Sequence, residues 1–218
     1  MASMRALTLF AGSLAAMIVL AHAVLPSPAR AGDLQRADDD FAKRMFAGSA
    51  PKPKAYACFV RRYDAAHLAA HPLQKVSVMK LLITAEKGPD DQVLEYSFRL
   101  GVNFRHRPGD FDSSGECGHA PTVRSVDTDP PVATGVDFEC DVDCDGGGIA
   151  VNLANSDNAL IVKLDRIRIW KGKTPDLDAA GEMTGGDDDK VFRLDRTDAN
   201  ECTSLVADRK ELAAMRHK

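Results

Sequence analysis

Residues 93–105 alternate in a way that leaves little freedom. Leu94, Tyr96, Phe98, Leu100, Val102 and Phe104 are apolar, and Glu95, Ser97, Arg99 and Asn103 between them are polar. Successive side chains of a strand point to opposite faces, so this period of two predicts a strand with one face on a core and the other in water. That is the pattern of an antiparallel sheet, and its register is pinned because a slip of one residue would turn every apolar side chain outward.

Other segments repeat the signal. Tyr56, Cys58 and Val60 fall on one side of a strand that Arg61 and Arg62 lead out of, and residues 75–86 form an apolar run that predicts a largely buried strand. The cluster Lys87, Gly88, Pro89, Asp90, Asp91 ends that run as a turn. Residues 149–154 and 159–170 flank the polar turn Asn155, Ser156, Asp157, Asn158 and predict a hairpin. In its second strand Leu164 is apolar at an even position but Ile167 and Ile169 at odd ones, so a β-bulge is expected near Asp165 and Arg166. Short strands are expected at 122–126 and 191–196.

Helical spacing over more than two turns appears only at the ends, with one or two turns expected over 64–70 before Pro72. Leu34, Ala37, Phe41 and Met45 recur as on one helix face, with Asp33 placed to cap and Gly48 to stop it. Asp208 and Glu211 have the spacing of a capping box opening a short C-terminal helix. The fold expected is mainly β: roughly six to eight antiparallel strands in a sandwich or barrel, with an N-terminal amphipathic helix and a short C-terminal one.

Before these elements, residues 1–31 have the layout of a secretory signal peptide. Arg5 is followed by a nearly unbroken apolar run, and small residues stand at Ala21 and Ala23 and at Ala29 and Ala31. Cleavage is expected after Ala31 in preference to Ala23, leaving no stable membrane span. The chain then divides into 1–31 as leader, 32–55 as helix and Pro-rich linker, and 56–218 as a single β-rich domain, placed in the periplasm or outside the cell. Loss of Arg5 and Arg30 leaves 26 basic and 32 acidic residues, a net charge of −6 that disfavours nucleic acid as a partner.

All five cysteines lie beyond the leader. In an oxidising compartment they predict a partial disulfide framework. Cys140 and Cys144 on one extended segment would stand about 13 Å apart, beyond the roughly 7 Å that a disulfide spans. They are therefore expected to bond to Cys117 and Cys202, with Cys58 as the odd thiol.

Several groupings are candidates for chemistry. Arg166, Arg168 and Trp170 alternate and share one strand face, a platform suited to a polar or anionic ligand. His67 and His71 stand four apart, as on one side of a zinc-binding helix, although Pro72 limits that helix. Cys117 and His119 have the types of a nucleophile and its base, but a cysteine in an exported protein is usually bridged. Asp141, Asp143, Asp145 and Gly146 place alternate carboxylates ahead of a turn-permitting glycine. This stretch resembles the first half of an EF-hand-type calcium loop, which implies calcium as a ligand held by Asp141, Asp143 and Asp145. It departs from that family at the far end, where a bidentate Glu is wanted and Asn152 stands, and where a strand follows instead of a helix.

Phosphate-cradling loops, nucleophile elbows, zinc-protease helices and dinucleotide fingerprints are absent from the sequence. The function expected is non-catalytic binding of a small ligand, an envelope component or a protein partner. The competing expectation is a secreted hydrolase whose site is built from the long loops 106–135 and 171–189, with calcium as a structural ion. A purely structural envelope factor is the third.

Overall fold

The structure, a computed structural model, describes residues 31–48, 54–88, 94–119, 137–154, 156–186 and 188–216. Residues 1–30 of the expected leader, the linker prolines at 51 and 53, most of the expected turn at 87–91, the expected strand at 122–126 and Asn155 lie outside the described residues.

Nine strands are present: β1 (Lys54–Arg62), β2 (Val76–Lys87), β3 (Leu94–Phe104), β4 (Phe111–His119), β5 (Asp137–Asp141), β6 (Gly147–Leu153), β7 (Ala159–Lys171), β8 (Gly181–Thr184) and β9 (Val191–Thr197). All belong to one antiparallel sheet. Its ladders run from β1 through β2, β3, β4, β5, β6, β7 and β9, and β9 pairs back onto β1 through Cys58 to Val60. The ring of pairings is closed, with β8 attached alongside β7. Closure satisfies strand edges that would otherwise lie open. At one end β4 also meets β7 directly, with Phe111 opposite Lys171 and Asp112 opposite Trp170, so the β5–β6 hairpin is inserted between them only toward the other end.

The alternation in β3 does what its period requires. Tyr96, Phe98, Leu100 and Val102 are buried in the main core, with Leu94 and Phe104 packed at its margins. Ala55, Ala57 and Phe59 of β1, Leu81 and Ile83 of β2, and Phe192 and Leu194 of β9 fill the same interior. In β7 the apolar phase changes between Leu164 and Ile167, and the ladder explains it. Gly148 pairs with Arg166 and Ile149 with Leu164, so Asp165 is the extra residue of a bulge. Leu160, Val162, Leu164, Ile167 and Ile169 can then all face inward.

A second apolar cluster lies on the other face of β1 and β2. Cys58, Val60 and Leu82 meet Cys202, Leu205, Val206 and Met215, carried by a 3-10 helix (Ala199–Leu205) and the C-terminal α-helix (Arg209–Arg216). This second face explains why β2 reads as an apolar run and not as an alternation. The amide of Glu211 donates to Asp208 Oδ1 at 2.7 Å, the first half of the expected capping box. The Glu211 carboxylate instead takes both guanidinium nitrogens of Arg99, at 2.9 and 3.2 Å, tying the helix to β3.

A helix over Ala31–Met45 buries Phe41 and Met45, with Phe46 just beyond it, against the main core. Its last carbonyls are capped in trans. The half-buried Arg196 guanidinium donates to the oxygens of Met45 and Arg44 at 2.7 and 3.1 Å, a cation at the negative end of the helix.

The disulfide expectation holds for Cys117 and Cys140 and is corrected for Cys58 and Cys144. Cys117 bonds Cys140, and Cys58 bonds Cys202, which leaves Cys144 as the free and exposed thiol. Cys117 and Cys140 are register partners on the β4–β5 ladder. Cys58 points into the outer cluster beneath the 3-10 helix, where Cys202 arrives after a separation of 144 residues. Cys144 sits past the end of β5 in a turn, out of reach of that cluster.

Candidate functional site

The acidic turn and the arginines of β7, two separate candidates in the sequence, are partners of one another. Val142 donates to Gly147 O and Gly146 to Val142 O, closing a tight connection in which Cys144 and Asp145 both have φ +58°. Arg168 donates to the carbonyls of Cys144 at 2.9 Å and Asp143 at 3.4 Å, and Arg166 donates to that of Asp145 at 3.0 Å. Three backbone oxygens that a calcium loop could turn toward an ion are thus turned toward two guanidinium groups. The glycine run serves the same crossing. Gly147 has φ +69°, and a Cβ there would stand 2.2 Å from Arg166 O, while one on Gly148 would stand 2.3 Å from Cys140 O.

Asn152 is not brought to this turn. It pairs with Asp137, four positions along β6 from the Gly148 that faces Asp141, or roughly 13 Å away at 3.3 Å per residue. Among the described residues no three His, Cys, Asp or Glu side chains stand where they could share a metal ion. Asp141 instead lines a shallow groove of about 590 Å³ with Glu139, Lys163, Asp165, Arg166 and Lys190. There Lys190 is within 3.6 Å of Asp165, and Arg166 is paired with Glu182 at 2.6 Å.

The expected platform of Arg166, Arg168 and Trp170 is divided in the same way. Both guanidinium groups are engaged as described, and Trp170 is only 3% exposed, inside the main core where β4 crosses onto β7. Its indole nitrogen is buried with no acceptor among the described residues. Neither histidine candidate is poised for metal. His67 stacks between Tyr63 and His71, with centroids at 4.6 and 4.4 Å, and its Nε2 meets Gln74 Oε1 at 3.0 Å. Cys117 is bridged, as expected, to Cys140, and His119 Nε2 meets Asp38 Oδ1, so the two do not form a nucleophile and base.

Asp38 is a junction of its own. One carboxylate oxygen accepts from Tyr96 Oη at 2.6 Å and from His119 Nε2 at 2.7 Å. Burial pushes the Asp38 carboxyl up, and the hydrogen bonds from His119 and Tyr96 with the His119 charge outweigh it, so it lies below the ordinary range. Burial, then the bond to Asp38, drives the Tyr96 phenol up. Phe41, Tyr96 and Phe138 surround the junction with edge-on and tilted ring contacts. It fastens the N-terminal helix to β3 and β4.

The concave site lies where β2 starts, β3 ends and β8 runs alongside. A pocket of about 280 Å³ is lined by Lys75, Phe104, His106, Arg107, Glu182, Met183, Thr184 and Asp189. Its floor is the interior of the closed sheet: Met183 belongs to the main core and Phe104 packs against it. Asp189, 2% exposed, accepts from the amides of Lys75 at 2.6 Å and Val76 at 3.2 Å, which fixes the entry to β2. Glu182 is committed to Arg166. Lys75, His106 and Arg107 are exposed, and none of the three makes an ion pair with a carboxylate among the described residues. Arg107 is held by stacking, its guanidinium carbon 3.9 Å from the Phe111 centroid and 6.0 Å from that of Phe104.

None of these lining residues stands out in the sequence. Phe104 ends β3, Glu182, Met183 and Thr184 lie on β8, Lys75 immediately precedes β2, and His106, Arg107 and Asp189 are in loops. The only signal was that loops as long as those expected over 106–135 and 171–189 tend to carry function. Comparison of the chain with protein-family models, with curated proteins and with solved structures returns no match.

Proposed function

We propose that the chain is an exported, disulfide-stabilised β-barrel protein that binds a small ligand at the open mouth of the barrel, without catalysis. The observation that supports this reading is the mouth pocket: an apolar floor from the core, Phe104 and Met183, beneath polar groups that converge from β8 and from the loops before β2, after β3 and before β9. The lining is half polar, with Phe104 and Met183 the two apolar side chains among eight residues, and barrel mouths are a favoured place for small-molecule pockets. Export is supported by two disulfides, which persist in an oxidising compartment. Among the described residues no helix is long and apolar enough to cross a membrane.

Thr184 is exposed on β8 at the rim, so Thr184→Trp fills the pocket without entering the core. Ligand-observed NMR against a set of small fragments is expected to find binders for the wild-type protein that Thr184→Trp loses at unchanged melting temperature. Binders retained in full by that variant would place binding elsewhere and end the proposal.

A further inference from the structure

We infer that the mouth pocket takes a small organic anion, a carboxylate carried on an apolar body, with Lys75 and Arg107 receiving the carboxylate and Phe104 and Met183 the body. This rests on the small-ligand reading above and adds the ligand's chemistry.

Charge is the first argument. Two of the pocket's ionisable groups are acids, and both are already satisfied: Asp189 by two backbone amides and Glu182 by Arg166. Counting Arg166, the site carries three permanent cations against two carboxylates, with His106 beside them. Beside the neutral Thr184 hydroxyl, the side-chain donors of the pocket left without an acidic partner among the described residues belong to basic residues. A guanidinium presents a planar fork that matches a carboxylate, and the stacking of Arg107 on Phe111 holds that fork before any ligand arrives. Preorganisation of this kind lowers the entropy lost on binding.

Size and polarity are the second. At about 280 Å³ the pocket lies near the lower limit of ordinary ligand sites, which suits one ring or a short chain. A bare inorganic anion would leave Phe104 and Met183 uncovered, whereas a purely apolar molecule would leave the cations at the rim without a partner. One end of the ligand is thus charged and the other is not.

The test is an amide-resolved NMR titration of the full exported chain with benzoate, benzamide and inorganic phosphate. Benzoate is expected to shift the amides of residues 104–107 and 181–184 and to bind about tenfold more tightly than benzamide, the worth of one charge-assisted hydrogen bond. Added salt should shrink that advantage. Arg107→Gln, an exposed substitution, should bring benzoate affinity down to that of benzamide measured on the same variant, and Lys75→Gln should narrow the difference. Equal affinity for benzoate and benzamide would overturn the anion while sparing the pocket. Phosphate binding as tightly as benzoate would overturn the apolar body. No shift with any of the three, nor with the wider fragment set, would remove the pocket reading as well.

Discussion

Asp112 shows how one side chain sets a pH dependence for the whole fold. It lies on β4 opposite Gly101 and Trp170 and is 9% exposed. Burial, then the neighbouring charge of Asp110, pushes its carboxyl up to about 6 from an ordinary 3.8, with Lys173 opposing. The folded protein therefore holds this proton more tightly than the unfolded chain does. Stability from this group is greatest in acid and is lost as pH rises between about 4 and 6, at a cost on the order of 1–3 kcal/mol that persists at pH 7. Asp112→Asn is expected to unfold at higher urea than the wild type at pH 7.5, and the advantage should vanish at pH 4. A variant less stable at pH 7.5 would mean that Lys173 holds the carboxylate favourably.

Cys144 is the other residue with a direct readout. It should be the one thiol that alkylates without denaturant, identified by peptide mass. Labelling at Cys58 instead would contradict the pairing described. Because Arg168 grips the carbonyl of Cys144, Arg168→Ala should speed that labelling several-fold by loosening the turn. Global stability should fall by no more than about 1 kcal/mol, since the contact is surface-exposed.

At the scale of elements, the two disulfides do unequal work. The Cys58–Cys202 bridge joins positions 144 residues apart and fixes the 3-10 helix to the outer face of β1, whereas Cys117–Cys140 joins neighbouring strands 23 residues apart. In the chain-entropy account the longer loop constrains the unfolded state more, by about 5 kcal/mol against about 3. The Cys58→Ala, Cys202→Ala double variant should thus lose more stability in urea than the Cys117→Ala, Cys140→Ala pair. Equal losses would show that local strand pairing already holds both sites. The β5–β6 hairpin illustrates a different economy: acidic side chains at its tip face solvent while its backbone oxygens are bound by arginines from β7.

For the molecule as a whole, closure of the sheet decides where function can sit. The ring buries a continuous core, the N-terminal helix presses Phe41 and Met45 against it, and the mouth beside β8 leaves Phe104 and Met183 reachable beneath basic residues. The strands β1, β2, β3, β6, β7 and β9, the inward faces of β3 and β9, the bulge at Asp165 and the C-terminal cap on Asp208 were legible because each depends on a period or spacing within a dozen neighbouring residues, whereas β4 and β8 correct the long loops expected over 106–135 and 171–189: their Gly-, Ser- and Asp-rich stretches carry no apolar alternation. Sequence alone could not show that Cys58 meets Cys202, that Trp170 is covered, or that Arg166 and Arg168 meet the acidic turn and not a ligand. Nor could it show that Lys75, Arg107 and Asp189 share a pocket. Those outcomes depend on which strands become neighbours across long stretches of chain, and local alternation says which face a side chain takes but not what it will face.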